Sequence, residues 1–132
     1  MSVVVCALII VIILPYPISW VAVACRFKQF GHYDNVAPRD QQSKLTGLGA
    51  RAMAAQANAW EALIMYGATT LILFMSGINL ASLEKIALVF IGARVAHALC
   101  YFFNFAALRT VSFLVGAGCC GYMIYLASNV AT

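Results

Sequence analysis

The sequence has very few charged residues, and this scarcity excludes an ordinary soluble fold. Charged residues make up 9% of the 132 residues and hydrophobic residues make up 64%, whereas a soluble domain contains about 25% and about 45–50%, respectively. Because a small soluble domain leaves much of its surface in water, it could not cover so much apolar surface. The composition therefore predicts an integral membrane protein. Its expected partners are membrane lipids and lipophilic small molecules.

The sequence also lacks a basic cluster and any recognisable cysteine spacing. Its eight Lys and Arg residues lie in one loop or singly within apolar segments, whereas nucleic-acid binding needs a basic face with stacking aromatic residues. The five cysteines fall inside or at the ends of apolar runs, without zinc-site or disulfide spacing. We therefore predict no nucleic-acid partner and no metal site, and expect the cysteines to pack as small apolar side chains.

Four long apolar segments dominate the chain, over about 3–25, 49–77, 83–106 and 111–130. Each has the ~20 residues that a helix needs to cross about 30 Å of hydrocarbon. Helices satisfy their own backbone in lipid, and the alternation typical of membrane strands is absent. We predict one all-α integral membrane domain over residues 1–132, a bundle of four transmembrane helices. No basic region precedes the first segment, so we interpret it as a retained helix and not a signal peptide.

The connection over residues 26–48 is the main polar stretch. It carries half of the basic residues: Arg26, Lys28, Arg39 and Lys44. By the positive-inside rule, this loop and the loop near Arg109 lie in the cytoplasm, and both termini lie on the opposite side. Within the first segment, Pro15 and Pro17 remove backbone donors and predict a kink.

Polar residues of the second and third segments fall on one stripe of each helix. The stripes consist of Arg51, Asn58 and Glu61, and of Arg94, His97, Tyr101 and Asn104. The spacings agree with about 100° of rotation per residue, and charged groups at membrane depth usually face the protein interior. The two stripes therefore predict a polar pocket that opens at the cytoplasmic face and reaches the middle of the membrane.

An antiparallel alignment of the two helices matches these stripes level by level. It pairs Glu61 with Arg94, Asn58 with His97, and Arg51 with Asn104, and we predict a buried ion pair between Glu61 and Arg94 near the bilayer centre. Two interpretations stay open. The stripes either only lock the helices together, or they bind an anionic ligand through arginine hydrogen bonds.

Three strings carry a resemblance to a known family. RAMAAQANAWEALIMY (residues 51–66), RVAHALCYFFNFAALRT (94–110) and YDNVAPRDQQSKLTGLGARA (33–52) resemble the bacterial branch of the membrane-associated proteins in eicosanoid and glutathione metabolism, the MAPEG family. The resemblance implies a homotrimer of four-helix protomers, here in a bacterial inner membrane, with glutathione bound between protomers in the cytoplasmic half.

The same resemblance implies roles for individual residues. The glutathione pocket would be lined by Arg51, Asn58, Glu61, His97 and Tyr101. Arg94 would pair with Glu61, while Arg109 and Thr110 would approach the thiol. A cationic arginine there would stabilise the thiolate, which is the nucleophilic form of the thiol.

The chain departs from the resembled pattern at three positions. Ala54 and Ala57 stand where the glutathione-using enzymes have arginines for the carboxylates of the tripeptide, and Phe113 stands where several members have a tyrosine near the thiol. Three functions are open. They are a glutathione-dependent transferase or peroxidase-like enzyme acting on lipophilic electrophiles, a non-catalytic lipid-binding or scaffold protein of the same fold, and an ion transporter with a relay through the membrane. That relay would consist of Glu61, Arg94 and His97.

Overall fold

The computed structural model describes residues 1–130 and consists of helices and short connections. In chain order they are α1 (Val3–Ile13), α2 (Pro15–Phe30), α3 (Pro38–Ser43), α4 (Gly47–Ser76), a 3₁₀ turn (Leu80–Leu83), α5 (Glu84–Phe102) and α6 (Ala106–Ser128). Four stretches are long and apolar enough to span a membrane: Val3–Phe30, Gly47–Ser76, Leu80–Phe102 and Ala106–Ser128. The predicted all-α membrane fold with four spans is confirmed.

The first span is interrupted at Leu14, where the sequence predicts a kink. Leu14 keeps right-handed helical dihedrals (φ −52°, ψ −38°) and its N–H still bonds to the carbonyl of Ile10 at 2.9 Å. Pro15 and Pro17 then provide no N–H for the next turn. Pro15 is the first residue of α2, a position where a backbone N–H would have no acceptor within the helix. The span therefore divides into α1 and α2.

The helix α4 is the centre of the bundle and contacts α1, α2, α3, α5 and α6. Its buried face is a stripe of alanines at helical spacing, with Ala52, Ala55, Ala59 and Ala62 all nearly inaccessible. Such small side chains let neighbouring helices approach closely in a membrane. Larger side chains fill the half nearer the termini, where Tyr66 stacks on Phe90 at 4.2 Å between ring centroids.

The polar connection is more ordered than the sequence predicts, because α2 extends to Phe30 and a short helix, α3, forms within it. Arg26 is fully buried there. It donates from Nε to Gln41 Oε1 at 2.6 Å and from Nη2 to the carbonyl of Asp34 at 2.7 Å. Its guanidinium also lies 3.8 Å from the ring centroid of Tyr33. We call these contacts the Arg26 clamp; they fold the connection back onto α2.

The turn into α3 is built around the carboxylate of Asp34. This carboxylate accepts hydrogen bonds from the backbone N–H groups of Ala37 at 2.9 Å and Val36 at 2.8 Å. These bonds favour the ionised form and hold the pKa of Asp34 below its ordinary value. The turn fixes where α3 begins, and thereby where Arg39 is placed.

Candidate functional site

Arg94 on α5 is a deeply buried cation in the middle of its span, with 3% of its surface exposed. Its Nη2 donates to the carbonyl oxygen of Asn58 at 3.3 Å and also to the side-chain oxygen Oδ1 of Asn58. Gly116 on α6 makes room for it, since a Cβ there would lie 3.2 Å from Arg94 Cδ. Arg94 Nε and Nη1 are buried and have no hydrogen-bond partner within residues 1–130. A charged donor left unpaired in this way is costly.

The predicted direct ion pair between Glu61 and Arg94 is corrected by the structure. Asn58 lies between the two charges: its Oδ1 accepts from Arg94, and its Nδ2 donates to Glu61 Oε2 at 3.2 Å. Among the described residues, one salt bridge forms, between the exposed side chains of Lys44 and Asp40 at 2.7 Å. Glu61 and Arg94 form none.

The reason is an offset between α4 and α5. Arg94 contacts Asn58 instead of Glu61, and Arg51 contacts Tyr101 and Phe102 instead of Asn104. Both contacts are displaced in the same direction by about three residues, which is close to one helical turn. A stripe of polar residues spaced three and four apart matches its partner almost equally well after such a displacement. The stripes therefore face each other as predicted, in a different register.

A cavity of about 170 Å³ lies beside this network. Its lining consists of Asn58, Glu61, Ala62, Met65, Arg94 and Phe113. Glu61 is exposed in the single chain, although it lies at the midpoint of the 30-residue helix α4. An ionised carboxylate at this depth is expensive when it faces lipid. The cavity thus combines a buried guanidinium that has two unpaired nitrogens in the described chain with an exposed carboxylate.

Arg51 has a structural role that the sequence did not reveal. It donates from Nε to the carbonyl of Tyr101 at 3.0 Å and from Nη2 to the carbonyl of Phe102 at 3.4 Å. The last carbonyls of a helix have no intrahelical donor and carry a partial negative charge. Arg51 therefore caps α5. Among the residues predicted to line the pocket, Arg51 is the one whose guanidinium binds the carbonyl end of α5.

His97 and Arg109 join the end of α5 to the start of α6. The nitrogen Nδ1 of His97 lies 2.9 Å from the carbonyl oxygen of Arg109, so this nitrogen carries a hydrogen. The other ring nitrogen, Nε2, is buried and has no partner in the described chain. The ring packs edge-on against Tyr101 at 5.2 Å between centroids, and the Arg109 guanidinium lies 4.7 Å from the Tyr101 centroid.

Phe113 connects this cluster with the cavity at Arg94. It lines that cavity, and its ring centroid is 6.2 Å from that of His97. The structure thus brings together Asn58, Glu61 and Arg94 at the cavity, and His97, Tyr101 and Arg109 beside it. Thr110 is exposed and its hydroxyl bonds to the carbonyl of Ala106 at 3.3 Å, within its own helix.

A second cavity, of about 180 Å³, escaped the sequence analysis. It is lined by Arg39, Met53, Gln56, Ala57 and Trp60. Gln56 is a polar residue within an apolar span, which is a usable signal, but it falls off the stripe that contains Asn58 and Glu61. Nothing in the sequence indicated that Arg39 returns to α4, because this depends on the Arg26 clamp.

The comparisons with known proteins give one finding. The family model described as the MAPEG family matches residues 3–129, which include both cavities and every helix from Val3 to Ser128. Curated proteins and solved structures give no match.

Proposed function

The chain belongs to the MAPEG family, and from this premise we propose that it is a membrane-bound, glutathione-dependent protein with transferase or peroxidase-like activity. The family uses glutathione in membrane transferase and peroxidase chemistry. The proposed acceptors are lipophilic electrophiles. Such molecules concentrate in the bilayer and can reach the membrane-spanning helices of this chain from the lipid.

One observation carries the proposal: Arg94 is buried beside a cavity and has two nitrogens that the described chain leaves unpaired. Buried donors of a packing site are mostly satisfied internally; the structural Arg26 leaves one nitrogen unpaired in the described chain, whereas Arg94 leaves two of its three. Glutathione has two carboxylates, a thiol and an ammonium group, so it offers anionic groups for the Arg94 nitrogens that Glu61 does not contact. Its ammonium group also matches the exposed carboxylate of Glu61. The remaining proposed lining residues are Arg51, Asn58, His97 and Tyr101.

The proposed catalytic residues are Arg109 and Thr110, at the start of α6. The Arg109 guanidinium lies over the Tyr101 ring and donates no hydrogen bond within residues 1–130, so its N–H groups remain for an anion. A cation near the thiol favours the thiolate. In conjugation, the thiolate forms a sulfur–carbon bond and the leaving group departs with its electron pair. In peroxide reduction, two glutathione thiols are oxidised to one disulfide, while a hydroperoxide becomes an alcohol and water.

The proposed assembly is a homotrimer in a bacterial inner membrane. The connection over residues 26–48 lies in the cytoplasm, and both termini lie on the opposite side of the membrane. The exposed carboxylate of Glu61 at mid-span supports more than one copy, because a neighbouring chain would shield it from lipid. Trp60 beside it, with 38% of its surface exposed, is a further side chain that a neighbour would cover.

Calorimetry of glutathione binding to the purified protein tests this function. We expect binding by the wild type, a weaker affinity in Arg109→Ala, and loss of the thiolate absorbance of bound glutathione in that variant. Lys28→Ala, which removes an exposed cation that has no place in the site, is the matched control and should bind normally. No heat of binding at millimolar glutathione would favour the lipid-binding or scaffold function instead.

A further inference from the structure

A groove on the exposed face where α5 meets α6 is separate from the two cavities described above. It has a volume of about 360 Å³, and its lining includes Lys85 and Val89 from α5 and Val115, Gly118 and Tyr122 from α6. It shares no lining residue with the cavity at Arg94. We call it the Lys85 groove.

The groove has one polar end and runs towards the middle of the membrane. Lys85 lies near the start of α5, about 14 Å along the helix from Arg94, which is close to half of the about 30 Å of hydrocarbon. Its ammonium is therefore near the headgroup boundary, where lysine side chains extend towards water. At the other end, Val115 precedes Gly116, which packs on Arg94. The lining between these two levels is apolar except for Tyr122, whose residue type is enriched at membrane interfaces.

The charge of Lys85 is not explained by the fold of the chain. Lys85 forms no hydrogen bond or ion pair within residues 1–130. It lies in the first turn of α5, where the helix dipole disfavours a cation and favours the adjacent Glu84. The positive-inside rule does not account for it either, because this end of the bundle is opposite to the basic connection over residues 26–48. An external anion at this level would compensate the charge.

Gly118 keeps the groove open. A Cβ at Gly118 would meet no heavy atom within 4 Å, whereas a Cβ at Gly116 would lie 3.2 Å from Arg94 Cδ. Gly116 is thus required for packing of α6 on α5, and Gly118 is not. The missing side chain at Gly118 instead leaves a space that faces the lipid.

The groove matches an amphiphile with an acidic head and an apolar tail. A cation and a tyrosine lie at its interfacial end, and small or aliphatic side chains line the rest. A helix of a second copy fits less well, because it would have to bring an acid to Lys85. Three of the four acids of the chain, Asp34, Asp40 and Glu61, lie in the connection or at mid-span. Glu84 alone is at this level.

We propose that the Lys85 groove binds a phospholipid with a net negative headgroup. Its phosphate is held by the ammonium of Lys85, and one acyl chain lies along Gly118 towards Val115. The lipid belongs to the leaflet opposite to the connection over residues 26–48. It is a bound component of the folded protein and not an acceptor of the proposed reaction, so the inference does not depend on glutathione binding.

Native mass spectrometry of the detergent-purified protein tests the headgroup contact. The protein is titrated with dioleoyl phosphatidylglycerol or with dioleoyl phosphatidylcholine, which have the same chains. We expect tighter binding of phosphatidylglycerol, weakened about fivefold in Lys85→Gln, the effect of one basic residue on an anionic lipid. Lys85→Arg should keep the preference. Lys28→Gln removes the same charge from the opposite end of the bundle and should change the affinity by less than about twofold, as a distant charge in salt would.

A matched pair of glycine variants tests the acyl-chain contact. Gly118→Leu places a side chain in the groove and should weaken binding of both lipids, since both have the same chains. Gly121→Leu is the control, because a Cβ there also meets nothing within 4 Å but Gly121 does not line the groove. It should bind both lipids as the wild type does.

Two results would overturn the proposal. One is equal wild-type affinity for the two lipids, or equal effects of Lys85→Gln and Lys28→Gln on phosphatidylglycerol. The other is a changed number of copies in the spectrum of Gly118→Leu with unchanged lipid affinity, which would identify the groove as an interface between copies.

Discussion

At the scale of single residues, Asn58 holds together the polar centre of the bundle. It accepts a hydrogen bond from Arg94 with its side-chain oxygen and donates to Glu61 with its nitrogen. An amide is suited to this position because it has both an acceptor and a donor. Two opposite charges are thereby coupled without direct contact, and part of the Arg94 guanidinium stays unpaired beside the cavity.

Substitution of Asn58 tests this bridge. Asn58→Leu removes the side-chain acceptor from the buried guanidinium, and an uncompensated buried charge costs about 3–5 kcal/mol. We expect a clear fall in the thermal unfolding midpoint of the purified protein. The near-isosteric Asn58→Asp retains an acceptor for Arg94 but loses the donor to Glu61 and places a second carboxylate beside it, so the midpoint should fall less than in Asn58→Leu. Equal stability of the Leu and Asp variants would show that the bridge does not stabilise the fold.

At the scale of elements, the Arg26 clamp converts a polar connection into a structured part of the site. Arg26 looked like one basic residue among several at the end of a span, yet it is fully buried. The sequence contained no periodic pattern that could show this, because its partners Gln41 and Asp34 lie in an irregular region. The position of α3, and hence of Arg39 in the second cavity, follows from these contacts.

Loss of the clamp should loosen α3 without unfolding the spans. Gln41→Leu leaves the buried Nε of Arg26 without its acceptor, at a cost of about 1–3 kcal/mol. We expect faster proteolysis within residues 31–46. Gln42→Leu, one residue further along, is the matched control because its side chain makes only the long contact with Arg39. Identical cleavage rates for the two variants would contradict the role of the clamp.

At the scale of the whole molecule, the sequence predicted the four spans well because hydropathy and length are properties of each segment alone. It also predicted which faces of α4 and α5 meet, since Arg94 does contact the stripe of α4. The register between the helices was wrong by about one turn. Helical periodicity cannot distinguish such offsets, and packing of the alanine stripe and of Gly116 against Arg94 decides between them.

The distribution of charge over the molecule supports the proposed assembly of several copies. Glu61 is exposed at mid-span, and two cavities flank it on adjacent faces of α4. In a bilayer these features need a cover that carries charge or hydrogen-bond donors. In the proposed assembly, a second copy together with bound glutathione would provide both.

The most direct test is an experimental density map of the protein in lipid nanodiscs with millimolar glutathione. We predict three copies around one axis, with a tripeptide beside Arg94 and Arg109. A map with an isolated chain whose Glu61 faces acyl chains, or with a lipid tail in place of the tripeptide, would contradict the account.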